Sequence, residues 1–220
     1  RAMLNQVPGD TRGASLWTMG DELVTIYDFV MNAIGAIEPD ERAQIEGMMT
    51  AMLGGASLRD DLLGNLHSDS MYYSVPGTSF TGAPESVMRT GVRNPEGLIK
   101  IVEAVARAVS EQAGMPVKLK SSEHEGVSLY ELDLSATPVA AVLQPSFAIR
   151  DGELVFSDQL RRLKSTLNSE QGMADSLAKN GGLSGFLDSL GAAAELQSIK
   201  YADNAANFKT QYGQISQFLP

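Results

Sequence analysis

The chain contains no cysteine. Disulfides, thiolate nucleophiles and Cys-ligated metals are therefore excluded. The absence fits a reducing compartment and an exported protein alike. Basic charge is also scarce: 17 Lys and Arg stand against 27 Asp and Glu, for a net charge of −10. A chain without a basic stripe lacks the charge that neutralises phosphate, so nucleic acid and anionic lipid are poor partners. Long apolar runs are missing. The longest charge-free apolar region, 135–149, is broken by Pro138 and Pro145, so no membrane insertion is expected within this segment. No G-x-S-x-G, P-loop or G-x-G-x-x-G motif occurs. Gly182-Leu183-Ser184-Gly185 is a distant echo of the first, without the strand that should precede it. No cofactor and no bound metal are expected.

What is present is enough apolar content, 43%, for a real core. The most readable stretch is Gln144 to Ser157. Asp151-Gly152 lies between two alternating runs, and Asp-Gly suits a two-residue type I′ turn because both central residues need positive φ. That turn fixes a register in which Arg150 faces Glu153, Ile149 faces Leu154, Ala148 faces Val155 and Phe147 faces Phe156. Phe147, Ile149, Leu154 and Phe156 then share one face, and Arg150 with Glu153 forms an opposite-charge pair near the tip. Ser157 or Asp158 can cap a following helix carrying Leu160, Leu163 and Leu167, free to fold back over the apolar face.

In chain order, residues 1–13 read as a loop and 14–19 as a strand with the single Trp, Trp17. A helix follows from Gly20-Asp21, with Leu23, Ile26, Val30 and Ile34 as its inner stripe. Pro39 opens a second helix, with Asp40 and Glu41 in its first turn, and Ile45, Met48 or Met49, and Met52 inward. Gly54-Gly55 ends it. Ser57 and Asp60 have capping-box-like spacing at a third, short helix that carries Leu58, Leu62 and Leu66. Strands are expected at 71–75 and 86–93, around a loop at 76–85. Asn94-Pro95 is a strong start for a helix with Leu98, Ile101, Val105 and Ala108, stopped at Gly114 and Pro116. A second hairpin, 117–122 with 127–134, turns around Glu123-His124-Glu125-Gly126. There Val127 and Leu129 are out of phase with Tyr130, Leu132 and Leu134, which suggests a bulge. A turn with a short helix at 172–180 and a helix at 184–190, separated by Gly181-Gly182, precede a strand at 194–201. Asp203 caps a last helix carrying Phe208, Tyr212, Ile215 and Leu219. Strand-then-helix at 14–34 is loosely like that at 194–219. Strands and helices mix without a βαβ rhythm. The expectation is one α+β domain over 1–220, a mainly antiparallel sheet of hairpins covered on one face by amphipathic helices. The chain opens on Arg1 and stops at Pro220 straight after an apparent helix, which suggests a segment of a longer, multi-unit protein.

The run from Pro145 to Ser157, the Leu-periodic helix ending at Leu167, and Gly172 to Leu177 together resemble a family of large, uncharacterised exported bacterial proteins. The Gly126 to Tyr130 strand fits the same pattern. The motif covers about a quarter of the chain. It specifies a hairpin, so the resemblance implies an exported location, in the periplasm or cell envelope, and a multi-unit parent chain, but no chemistry.

Candidate chemical sites are few. His124 sits between Glu123 and Glu125, but adjacent strand or turn residues diverge, so an exposed tip is the plainer reading. His67, with Asp60, Asp61 and Asp69, has cation-binding atoms without the spacing of a standard loop. Asp21 with Glu22, and Asp60 with Asp61, are carboxylate pairs, each in an expected first helical turn where acidic residues cap anyway. Met48, Met49 and Met52, with Met31 and Met71, make an adaptable apolar set. Three functions follow. The first is a non-enzymatic structural or protein-interaction domain, self-association included. The second is a carrier or sensor holding an apolar ligand between the sheet and the Met-bearing helices. The third is a hydrolase or metal enzyme, which needs a histidine buried beside carboxylates.

Overall fold

The computed structural model describes residues 3–18, 22–77, 83–141, 143–168, 175–189 and 198–204. Among them, eight strands form one sheet: β1 Gly13–Thr18, β2 Leu66–Val75, β3 Glu85–Val92, β4 Lys118–His124, β5 Val127–Asp133, β6 Ser146–Arg150, β7 Glu153–Ser157 and β8 Ser198–Ala202. Their spatial order is β4-β5-β6-β7-β3-β2-β1-β8, and every neighbouring pair is antiparallel. The helices are α1 Glu22–Ile37, α2 Pro39–Met52, α3 Pro95–Ala113, α4 Leu160–Asn168 and α5 Gly181–Ser189, with a π-helical turn at Leu58–Leu63. The α+β class and the antiparallel sheet are as the sequence implies.

The β6–β7 hairpin has the register that its turn dictates. Asp151 and Gly152 have φ of 52° and 77°, and Phe147 pairs with Phe156, Ile149 with Leu154, and Arg150 with Glu153. The Glu153 carboxylate reaches across to Arg89 on β3, with Arg89 Nε 3.1 Å from Oε1.

The β4–β5 hairpin differs from expectation. Its ladder runs from Lys118↔Asp133 to His124↔Val127 without a bulge. Glu125 and Gly126, with φ of 52° and 79°, make a two-residue turn. Val127 and Leu129 looked out of phase because both faces of this strand are apolar. Leu129 joins one buried cluster, with Val127 packed against it, while Tyr130 packs against a second cluster. Tyr130 stacks on Phe147 across the ladder, ring centroids 4.9 Å apart. The irregular register lies elsewhere, between His67 and Met71 where β2 meets β3.

Helices therefore lie on both faces of the sheet, not on one. On the first face, Leu163 and Leu167 of α4 and Leu183 and Leu187 of α5 join Ala148, Val155, Met71 and Tyr73. Leu4 and Val7 also enter this core, from a 3-10 turn at Met3–Gln6 inside the stretch expected to be a loop. Leu177 N–H bonds the Val7 carbonyl at 2.8 Å, tying that stretch down. On the second face, Leu98 of α3 joins Phe147, Leu154 and Val92. So α4 does not fold back over Phe147 and Leu154; it covers Ala148 and Val155, and α3 covers the other side.

Helix starts follow local chemistry. Asn94 Oδ1 accepts from Gly97 N–H at 3.0 Å, with Pro95 at the first helical position. Ser57 Oγ accepts from Asp60 N–H, and Asp61 Oδ2 accepts from Ser57 N–H at 2.7 Å. That is a reciprocal cap closed by Asp61 rather than by Asp60. Gly181-Gly182, expected to break a helix, instead begins α5, because Asn180 Oδ1 accepts from Leu183 N–H at 3.1 Å. Of the strand expected at 194–201, residues 198–201 lie in β8; 194–197, the last helix beyond 204, the loop tip at 78–82 and Asp21 lie outside the described residues.

Gly54 closes α2 with φ of 67°, and a Cβ there would lie 2.5 Å from Ala104 Cβ on α3. Gly54→Ala is expected to cost about 2–3 kcal/mol, combining left-handed strain with overpacking. Gly55 also has positive φ but faces open space, so Gly55→Ala should cost only about 1–2 kcal/mol. Urea titration of the two variants tests this. Equal losses would mean that Ala104 yields freely.

Candidate interaction surface

α1 carries apolar side chains on two sides. Its inner side holds Met31, which is buried, with Tyr27 and Ile34 half-buried. This side is fixed by Asp28, whose two carboxylate oxygens accept from Arg59 Nε at 2.7 Å and Nη2 at 2.8 Å. Arg59 belongs to the π-helical turn, so the pair clamps α1 to the segment that leads into β2. The same hydrogen bonds hold the Asp28 carboxyl below the ordinary carboxylate range. The clamp is therefore complete above the ordinary value near 3.9 and is lost as pH falls through the lowered one. Asp28→Asn is expected to speed amide exchange in α1 while α3 exchange stays unchanged. Unaltered α1 exchange would show that the clamp does not hold the helix.

Only Glu38 separates α1 from α2. Gly35 permits the close approach there: a Cβ at that position would lie 3.0 Å from Arg42 Cδ. Arg42 in turn donates to Glu46 at 3.0 Å and to Asn32 on α1 at 2.8 Å.

The outer side of α1 is apolar and open. Ile26, Phe29, Val30, Ala33 and Ile37 recur at i, i+3, i+4, i+7 and i+11, one continuous helical stripe about 16 Å long. Phe29 is 74% exposed and Ile37 80% exposed. Half of the exposed large hydrophobic side chains among the described residues belong to α1 and α2. Single exposed apolar residues are ordinary; a contiguous stripe of them is a candidate contact surface. The sequence placed Ile26 and Val30 inward; the structure turns the helix so that Met31 faces in.

The five candidate methionines sit in different environments. Met71 is buried in the first-face core and Met31 beneath α1, while Met48 and Met52 stand exposed on α2. The site expected at Met48, Met49 and Met52, between sheet and helices, is not where these residues sit, because α2 packs chiefly on α1.

A cleft of about 490 Å³ lies where the end of α2 and the π-helical turn meet the start of α3. Its polar lining is largely occupied with closing the backbone. Asn65 Nδ2 donates to the Asn94 carbonyl at 2.9 Å, Asn65 Oδ1 accepts from Asn94 N–H, and Arg93 donates to the Gly64 carbonyl. Asp61, on the same wall, caps Ser57. Asp61 thus serves the turn, while the Asp60 carboxylate accepts from Arg59 Nη1.

The other candidates separate. His124 Nε2 lies 2.8 Å from Asn168 Oδ1 at the end of α4, while Glu123 alternates to the opposite side of β4 and Glu125 sits in the turn. His67 is half-buried in β2. Glu22 lies in the first turn of α1. Ser184 is inside α5. Among the described residues no three His, Cys, Asp or Glu side chains are placed to hold a metal ion. No helix there is long and apolar enough to cross a membrane.

No protein-family model matches the chain, and no curated protein or solved structure matches it either.

Proposed function

We propose that this chain is a non-enzymatic interaction domain that docks a protein partner through the outer stripe of α1. The observation that carries the reading is the stripe itself, Ile26, Phe29, Val30, Ala33 and Ile37. These side chains are exposed, yet the helix that bears them is tied down on its inner side by Asp28 and Arg59. A positioned apolar surface suits recognition better than it suits solvent. The hairpin resemblance supports a setting in the periplasm or cell envelope of a bacterium, within a multi-unit parent chain.

The test uses a photo-crosslinking amino acid at position 29, with one at Val109 on α3 as an exposed control. A protein adduct formed from position 29 and absent from 109 is the expected result. A bound apolar small molecule in native mass spectrometry, crosslinked from position 29, would overturn the reading in favour of a carrier. With the crosslinker kept at position 29, Ile26→Glu with Ile37→Glu should remove the adduct and change stability by no more than about 0.5 kcal/mol per site.

A further inference from the structure

We infer that the partner presents an amphipathic helix flanked by basic side chains. This rests on the reading of α1 as the docking face and names what docks there. The shape of the stripe fits a helix. A straight stripe at i, i+3, i+4, i+7 and i+11 on one helix is the ridge pattern that interdigitates with a second helix. An extended peptide instead needs a free strand edge with unpaired backbone groups, which a helix does not offer.

Charge narrows the partner further. α1 contains no Lys or Arg, and the basic residue of α2, Arg42, is engaged by Glu46 and Asn32. Where the stripe ends at Ile37, the exposed carboxylates of Glu38, Asp40 and Glu41 follow at once. A second copy of this chain would bring the same carboxylates. Parallel pairing of the two stripes sets the three acids against three acids, and antiparallel pairing sets them toward Glu22 of the other copy. Like charges juxtaposed across an interface select against that partner, and opposite charges select for one. An anionic lipid surface is disfavoured on the same ground. A helix with Lys or Arg beside its apolar face satisfies both the stripe and its acidic end.

The experiment uses two synthetic helical peptides of about 18 residues. Both carry Leu at positions 0, 3, 4, 7 and 11 of the same face; one is flanked by Lys, the other by Glu. Binding to the full chain is read by fluorescence anisotropy at low and high salt. The Lys peptide is expected to bind about tenfold tighter or more at low salt, with the preference shrinking at high salt. Phe29→Glu should abolish binding of both. The triple variant Glu38→Gln, Asp40→Asn, Glu41→Gln should equalise them. Equal binding of the two peptides to the unaltered chain would overturn the basic-flank inference and leave the docking face standing. No binding of either, with a concentration-dependent dimer that Phe29→Glu dissolves, would replace it with self-association. No binding and a monomer at all concentrations would overturn both.

Discussion

Glu85→Ala is expected to destabilise the fold by about 3–5 kcal/mol, because it breaks a buried ion pair from one side. The Glu85 side chain is only 4% exposed. Its Oε2 accepts from Arg162 Nε at 3.1 Å, and its Oε1 pairs with Arg161 Nη2. Both arginines stand in the first turn of α4, where the helix dipole already disfavours positive charge. Glu85, at the start of β3, supplies the opposing charge and so fastens α4 to the sheet. Arg161 is half exposed, and its share is small after solvent screening. Arg162, at 19% exposed, is the costly one to strand. The surroundings are dry: burial pushes the neighbouring Tyr73 phenol above its ordinary pKa, against a hydrogen bond with Thr166 and the fields of Arg89 and Arg162. Two measurements separate this account from mere loss of side-chain packing. Urea unfolding of Glu85→Ala should show the full loss. Glu85→Leu combined with Arg162→Met should recover most of it, since an apolar pair of similar volume removes the desolvation cost on both sides. A loss below about 1 kcal/mol in the single variant would mean that water reaches the pair.

None of that ion cluster was legible in the sequence, because Glu85 and Arg162 are 77 residues apart. What was legible was local. Asp151-Gly152 announces its own turn, and the turn sets a register that extends through Phe147 and Phe156. Asn94-Pro95 announces a helix start for the same reason, since cap and first turn are neighbours in the chain. Glu125-Gly126 carried a weaker signal, a glycine after a residue that rarely takes positive φ. A phase shift along a strand implies a bulge only where one face is wet, and β5 has no wet face in its middle. For α1, periodicity identified the helix and misjudged its rotation. The helix is apolar through a wide arc, so the pattern permits either Ile26 with Val30 or Met31 to face inward. Burial of Met31 accompanies the inward choice, and Arg59, 31 residues from Asp28, pairs with it on the same side. A helix too apolar for one seam was the available sign that its apolar side chains would face two sides.

Leu163→Ala is expected to cost about 3–4 kcal/mol, while Val30→Ala and Ile26→Ala cost no more than about 0.5 kcal/mol each. Leu163 is fully buried in the cluster with Ala148, Val155 and Val87, and α4 spans β6, β7 and β3 above it. Truncation there forfeits the transfer energy of the side chain and leaves a cavity between two rigid layers. Val30 is 46% exposed and Ile26 59% exposed. Truncating either loses little burial, and Ala regains some helix propensity over a β-branched residue. Denaturant titrations of the three variants decide the matter. Equal losses at Leu163 and Val30 would show that the outer stripe is already covered by this chain's own residues, and the docking face would fall with it. A large loss at Leu163 and none at Val30 or Ile26 separates two uses of one residue class. The apolar side chains of α4 hold the fold together, whereas those of the α1 stripe are not needed for folding. Selection on the α1 stripe would then act through what it contacts outside the fold, and partner binding is where its truncation should register.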